Sequence, residues 1–199
     1  SPFPKFDKDK KRIRRCLLIY TGGTLGMEPD EKGLLAPGKS FKEKIKGFKS
    51  FHDSEYAEQL EKIFGLEHEE WLVCQEFNQS RVIYKVYEFE ELLDSSSMNL
   101  SNWVLIGEVI RRSYSDYEGF LVIHGTDSLE YTSSALSFML KNLRKTVVLT
   151  ASQIPLSYQK NDAYDNLMGS FEVIGNYDIP EVCVYFRDAL YRGNRIKKV

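Results

Sequence analysis

The chain is poor in the features that mark most specialised classes. Its 199 residues hold three cysteines, Cys16, Cys74 and Cys183, scattered and odd in number. That fits a reducing compartment better than a disulfide framework, with two of the thiols in apolar strand-like runs that bury them. His52, His68 and His124 are too dispersed for a zinc site, so no metal is expected. No apolar run approaches the roughly 20 residues that cross a bilayer, and the first residues lack the apolar core of a secretory leader. A cytoplasmic protein without membrane contact is expected. Lys plus Arg total 27 against 29 Asp plus Glu, a net charge of -2 that gives no electrostatic case for nucleic acid.

Familiar site motifs are missing as well. A dinucleotide fingerprint needs Gly-x-Gly-x-x-Gly, and Gly23-x-x-Gly26 has Thr21 where the first glycine belongs. A phosphate loop would end Gly-Lys-Ser/Thr, and Met27 follows Gly26. Gly-x-Ser-x-Gly, the nucleophile elbow, does not occur.

What is present is a series of apolar strands that each end in hydroxyls or carboxylates. Cys16-Leu17-Leu18-Ile19-Tyr20 runs into Thr21-Gly22-Gly23-Thr24-Leu25-Gly26-Met27. A continuous apolar run suits a parallel strand covered on both faces, and glycines directly after it let backbone approach a ligand. Thr21 and Thr24 would then present hydroxyls at the sheet's carboxyl edge. Val82, Tyr84 and Val86 alternate as in a strand, followed by Leu92-Leu93-Asp94-Ser95-Ser96-Ser97-Met98. Phe120-Leu121-Val122-Ile123 exits through His124-Gly125-Thr126-Asp127-Ser128, where His124 suits either a structural or a catalytic role. Val147-Val148-Leu149 exits through Ala151-Ser152-Gln153, and Val182-Cys183-Val184-Tyr185-Phe186 gives a fifth strand. Helical stripes separate them: Tyr56, Leu60 and Phe64 after a cap at Asp53 or Ser54; Trp103, Ile106, Ile110 and Tyr117 after Ser101, with Gly119 as stop; Leu129 to Leu143; and Leu167, Phe171 and Ile174 after Asp162. Alternating strands and helices predict an α/β fold with an open, mostly parallel sheet, helices on both faces and every polar exit on one edge.

Residues 1–15 carry seven Lys and Arg with little apolar content and read as a basic disordered tail. Residues 28–40, with Gly33, Pro37 and Gly38, have the composition of a mobile lid beside the first strand. Residues 66–80 are acidic and irregular, as in an insertion.

These motifs, in this order, resemble the bacterial-type L-asparaginases, in particular the type I, cytosolic-like branch with its eukaryotic relatives. Thr21–Met27 looks like the family's first signature and His124–Ser128 like its second, whose common form ends in Thr. Leu93–Met98 resembles the substrate loop, and Tyr191–Lys198 the segment with the catalytic lysine. The likeness covers 16–199 and is weakest over 40–80. It implies a Rossmann/flavodoxin-like N-terminal catalytic domain over 16–199, a smaller C-terminal domain absent from this chain, and a homo-oligomer. It also implies hydrolysis of L-asparagine to L-aspartate and ammonia, with L-glutamine a weaker substrate, and no cofactor. Carried over by position, Thr24 is the nucleophile, and Thr126, Asp127 and Lys198 form a hydroxyl, carboxylate and amine cluster. Asp94, Ser95, Thr126 and Asp127 bind substrate, Ser95 facing its α-carboxylate and Asp127 its α-ammonium. The tyrosine that several bacterial members carry in the mobile loop has no counterpart in Gly33–Ala36, and Tyr20 on the strand is not an obvious substitute.

Amide hydrolysis needs an activated oxygen nucleophile, donors for the oxyanion and a proton route to ammonia. Lysine serves as base only if desolvation outweighs the neighbouring Asp127, which favours the charged form. The residues alone leave open which threonine attacks. They also admit a non-catalytic asparaginase-like domain for interaction or regulation, and, on the glycine loop alone, a nucleotide-binding module. Lys198 is penultimate, so fraying is expected to leave the 199-residue chain with little or no turnover.

Overall fold

The computed structural model describes residues 5–7, 10–38, 40–65 and 71–198. In chain order the strands are β1 (Arg12–Tyr20), β2 (Met27–Pro29), β3 (Leu35–Pro37), β4 (Leu72–Val73), β5 (Ser80–Glu88), β6 (Gly119–Ile123), β7 (Thr146–Thr150), β8 (Val182–Phe186) and β9 (Ala189–Arg192). The helices are α1 (Phe41–Lys46), α2 (Ser54–Phe64), α3 (Leu100–Arg112), α4 (Leu129–Met139) and α5 (Ala163–Asn176). Seven strands form one sheet in the order β4-β5-β1-β6-β7-β8-β9. Strands β5, β1, β6, β7 and β8 are parallel, and the two edge strands run antiparallel to their neighbours.

The strands are apolar throughout because helices cover both faces. Cys16, Leu18, Leu121, Val148 and Tyr84 face α5 and α1, meeting Leu167, Phe171 and Ile174 from one and Phe41 and Ile45 from the other. The intervening residues Leu17, Ile19, Phe120, Val122, Val147 and Leu149 face α3 and α4, through Ile106, Ile110 and Leu136. All three cysteines are buried. Burial pushes the Cys183 thiol up to about 11, so it is an apolar filler at neutral pH.

Local chemistry sets the helix ends. Asp53 caps α2 through Tyr56 N–H, and Gly65 ends it in the left-handed region at φ 64°. The cap of α3 is Asn99, not Ser101, in a reciprocal box with Asn102. That helix closes at Ser113, and Gly119 begins β6 instead of ending the helix.

Two stretches differ from the sequence expectation. Within the tail expected over 1–15, β1 already begins at Arg12, because acidic partners lie beside this end of the strand. Arg14 is buried and reaches Asp178 at 2.5 Å, while Arg15 pairs with Glu118. Hydrogen bonds from Arg12 and then Arg14 hold the Asp178 carboxyl below its ordinary range. In the region expected as an insertion, Leu72, Val73, Cys74 and Phe77 are buried, and β4 pairs with β5. Residues 66–70 lie outside the described residues. A two-residue strand is too short to show a period, which is why it escapes a pattern reading.

Candidate active site

The parallel register brings the carboxyl ends of β1, β5 and β6 side by side, and Thr21 ties all three. Its hydroxyl donates to Ile123 O at 2.8 Å, and its carbonyl accepts from Leu93 N at 2.7 Å. Thr21 is 1% exposed, so of the two threonines in this loop it is structural. Gly22 and Gly23 follow at φ 126° and 92°, and a Cβ on Gly23 would lie 2.7 Å from both Gly125 N and His124 O. Only glycine lets the first and third exits close to backbone contact here.

Thr24 then opens a single 3-10 turn, Thr24–Gly26, and lines a cleft of about 290 Å³ together with Tyr20, Asp94, Ser95, Thr126 and Asp127. All the expected site residues from these exits therefore share one cleft. Larger hollows occur elsewhere, about 490 Å³ between α4 and β9 and about 720 Å³ beside Tyr158 and Tyr164. Neither gathers hydroxyls from several strand ends, which is why the smaller cleft is the chemical candidate.

Each lining group is held by a specific contact. Asp94 accepts the Ser96 N–H at 2.9 Å, and hydrogen bonds from Ser96 lower its carboxyl pKa. Ser95 is buried; its hydroxyl accepts from Asp127 N at 3.3 Å and its carbonyl accepts from Ser128 Oγ at 2.5 Å. Ser128, where the common motif has threonine, thus retains a hydroxyl with a structural use. Lys198 Nζ donates to Asp127 Oδ1 at 3.0 Å and to Thr126 Oγ1 at 3.2 Å. Its side chain is 47% exposed, so water screens the ion pair.

The segment that delivers Lys198 is fastened along its length, contrary to the expected fraying. Gly193 N donates to Val182 O at 2.8 Å, and Ser133 Oγ donates to Gly193 O at 2.7 Å. Ile196 packs on the α3–α4 side of the core, and the Lys198 backbone N–H is bonded to Glu130. The chain thus runs back along α4 from Ser133 to Thr126.

His124 is structural. A carbonyl can only accept, so the 2.7 Å contact to Gly125 O places the proton on Nδ1. Nε2 then accepts from Thr132 Oγ1 at 2.9 Å, and that oxygen accepts from Trp103 Nε1 at 3.0 Å. Burial lowers the imidazole pKa from 6.5, so the folded state holds the ring neutral. The unfolded chain binds this proton more readily, so the stability contributed by neutral His124 is present above about pH 6.5 and falls away as pH drops below it. Replacing His124 by asparagine is expected to lower the melting temperature at pH 7.5 and to flatten its decline between pH 7 and 5. An unchanged slope in thermal melts over that range would place the acid sensitivity elsewhere.

Two residues that the sequence reading set aside or passed over belong to this region. Tyr20 lines the cleft, stacks on Phe41 at 4.4 Å, and sets its hydroxyl against Gly26, where a Cβ would sit 2.1 Å from it. Burial, followed by the charges of Glu88 and Glu28, pushes its phenol pKa up, so it is a neutral donor at physiological pH. Lys44 reaches the same turn from α1. It lies on α1, in a stretch for which the residues alone predict no element. Among the described residues, no group of three His, Cys, Asp or Glu is placed to hold a metal ion.

The comparisons agree with the fold. The family model described as "Asparaginase, N-terminal" matches residues 15–199. The chain is 45% identical over 186 residues to the mouse 60 kDa lysophospholipase, covering 94% of this chain and 32% of that protein. It is 37% identical over 181 residues to L-asparaginase 1 of Escherichia coli K12, covering 91% of this chain and 46% of the relative. The crystal structure of L-asparaginase I from Vibrio cholerae superposes with a TM-score of 0.76 at 33% identity, covering 94% of this chain and 48% of that one. This chain therefore spans about a third to about a half of the length of these relatives. On the match of its sequence, sheet and ordered motifs, it belongs to the asparaginase family.

Proposed function

We propose that the chain is the N-terminal catalytic domain of an enzyme that hydrolyses L-asparagine to L-aspartate and ammonia. The observation that carries this reading is the convergence of Thr24, Ser95, Thr126 and Asp127 on one small cleft, with Lys198 at its rim. The Thr24 hydroxyl attacks the side-chain amide carbon and its proton passes to the departing nitrogen. The C–N bond breaks, ammonia leaves and a β-aspartyl ester remains on Thr24. Water then adds to the ester carbon, the bond from that carbon to Thr24 Oγ1 breaks, and a proton of the water returns to Oγ1, restoring the hydroxyl and releasing aspartate.

In this scheme Asp127 and the Ser95 loop bind the substrate's ammonium and carboxylate, with Asp94 holding the loop through Ser96. The Lys198 amine, donating to Thr126, supplies positive charge toward the developing oxyanion. Glutamine is longer by one methylene, a difference that discriminates modestly, so it is the weaker substrate. No cofactor takes part. A smaller C-terminal domain completes the proposal, supported by the greater length of the bacterial relatives; homo-oligomeric assembly and a cytoplasmic location belong to it on the family resemblance alone.

A lysophospholipid is the rival substrate, named by two mammalian relatives. The cleft volume of about 290 Å³ and its hydroxyl and carboxylate lining favour a small amino acid over an acyl chain. The test measures ammonia release from asparagine and glutamine, and fatty-acid release from lysophosphatidylcholine. Both this chain and a version extended to the relatives' length are assayed. Asparagine turnover that exceeds glutamine turnover, with no fatty acid released, is the expected result. An extended protein inert toward asparagine would leave a non-catalytic domain as the better reading.

A further inference from the structure

We propose that Lys44 is a positioning residue that latches the nucleophile turn and the 27–37 hairpin to helix α1. Its side chain is 8% exposed, and its ammonium has three acceptors: Gly26 O at 2.6 Å, Met27 O at 3.2 Å and Glu28 Oε1 at 3.0 Å. These match the three donors of an ammonium. Gly26 ends the single turn that Thr24 begins, so its carbonyl lies where a helical turn leaves acceptors unpaired and favours a cation. The pair Met27 and Pro37 closes the base of the β2–β3 hairpin, and both line the cleft. One side chain thus fixes the floor under Thr24 and the wall beside it.

The platform that carries Lys44 is itself tied to the sheet. Glu88, at the end of β5, accepts from Ser40 Oγ at 3.0 Å, Phe41 N at 3.1 Å and Lys42 N at 2.8 Å. Phe41 stacks on Tyr20 at the end of β1. The first turn of α1 is therefore locked to two strand exits, and its last turn extends Lys44 to the loop between them. Neighbouring carbonyls are fastened from the far side, Leu25 O by Leu156 N at 3.1 Å and Met27 O also by Ser157 Oγ at 3.2 Å. Among these hydrogen bonds, the one at Gly26 O comes from Lys44 alone. Gly38 lies close above the ammonium, where a Cβ would come within 3.3 Å, so the hairpin's return strand passes directly over the latch. Residues 30–34 at the hairpin tip remain exposed. The segment expected as a mobile lid is thus a hairpin clamped at its base.

The kinetic consequence rests on Thr24 acting as nucleophile, whereas the structural consequence does not, and the experiment separates them. Amide hydrogen exchange is measured for the wild type, Lys44→Met, Lys44→Arg and Glu28→Gln. In Lys44→Met, exchange within 24–37 is expected to rise at least tenfold while β6 and β7 keep their protection. Lys44→Arg is expected to restore most of it, and Glu28→Gln to show a smaller rise in the same segment. In an asparagine-hydrolysing, extended protein, Lys44→Met is expected to lower kcat at least tenfold with less effect on KM, with partial rescue by arginine. Unchanged exchange over 24–37 in Lys44→Met overturns the latch, as does a uniform rise across the whole sheet. If Lys44→Met fails to fold, unchanged exchange over 24–37 in Glu28→Gln overturns it. Localised exchange with unaltered kcat keeps the latch and instead removes Thr24 from the chemical step.

Discussion

Replacing Thr24 by alanine is expected to cut asparagine turnover by about 10⁴-fold while leaving the fold in place, the scale seen when a covalent nucleophile is removed and binding groups remain. The turn that carries it stands without its side chain. Gly26 N closes the turn on Gly23 O at 3.3 Å, and Lys44 and Leu156 hold its carbonyls. The hydroxyl and methyl face a solvent-reached cleft, so their loss opens no core cavity and belongs to the class of changes within about 0.5 kcal/mol of neutral. For a chain of this length that is a melting shift of about 2 °C or less. Thr24→Ser retains the oxygen and is expected to retain most of the turnover. Rates of ammonia release and thermal melts on the extended protein decide the matter. Near-normal turnover in Thr24→Ala, with an unchanged melt, would transfer the attack to Thr126.

Gly23→Ala is expected to be among the most damaging small changes at the site, acting through stability and turnover together. At φ 92° an alanine is strained by about 1–3 kcal/mol. Its methyl would also meet Gly125 N and His124 O at 2.7 Å, and backbone atoms cannot rotate aside. The two exits would have to separate, pulling Thr24 from Thr126 and Asp127. A total loss of about 3 kcal/mol or more, read as a melting decrease of about 6–12 °C, is expected along with turnover. Gly33→Ala is the matched control: φ is 77°, yet nothing lies within 4 Å of the added carbon, so strain alone remains. Equal melting temperatures for the two variants would show that strain, not the contact between exits, explains Gly23.

How much of this was legible in the residues follows from what each element's periodicity could carry. Both-face burial writes itself as unbroken apolar runs, so β1, β6, β7 and β8 and the shared edge of their exits could be read directly. The candidate site was legible in part for the same reason: parallel strands bring Thr24, Ser95 and Thr126 to one edge, whereas Lys198 could be tied to them only through the resemblance to the asparaginases. What escaped were features whose partners are distant in sequence. Arg12, Arg14 and Arg15 look like tail residues until Asp178 and Glu118 are placed beside them. Tyr20 looks like one more strand residue until α1 stacks Phe41 on it. Lys44 sits among similar lysines, and only the fold makes it the one aimed at Gly26. The hairpin over 27–37 was masked because its short strands carry Glu28, Pro29 and Pro37, poor strand formers that read as loop.

The placement of β1 in the sheet has a consequence for how the molecule assembles in time. β6 and β7, and β7 and β8, pair across only about 30 residues of chain, with one helix between them. β1 must instead find β5 about 70 residues away and β6 about 100 residues away, and it lies between them. Closing about 70 residues rather than about 30 costs roughly 0.8 kcal/mol more in chain entropy before any contact repays it. Long-range parallel pairing of this kind is the slow class of folding event. The C-terminal strands and α5 can therefore collect first, whereas the Thr24 turn exists only once β1 has slotted between its neighbours. Because Thr21 fastens β1 to both flanking exits at that moment, completing the sheet and creating the cleft are one and the same event.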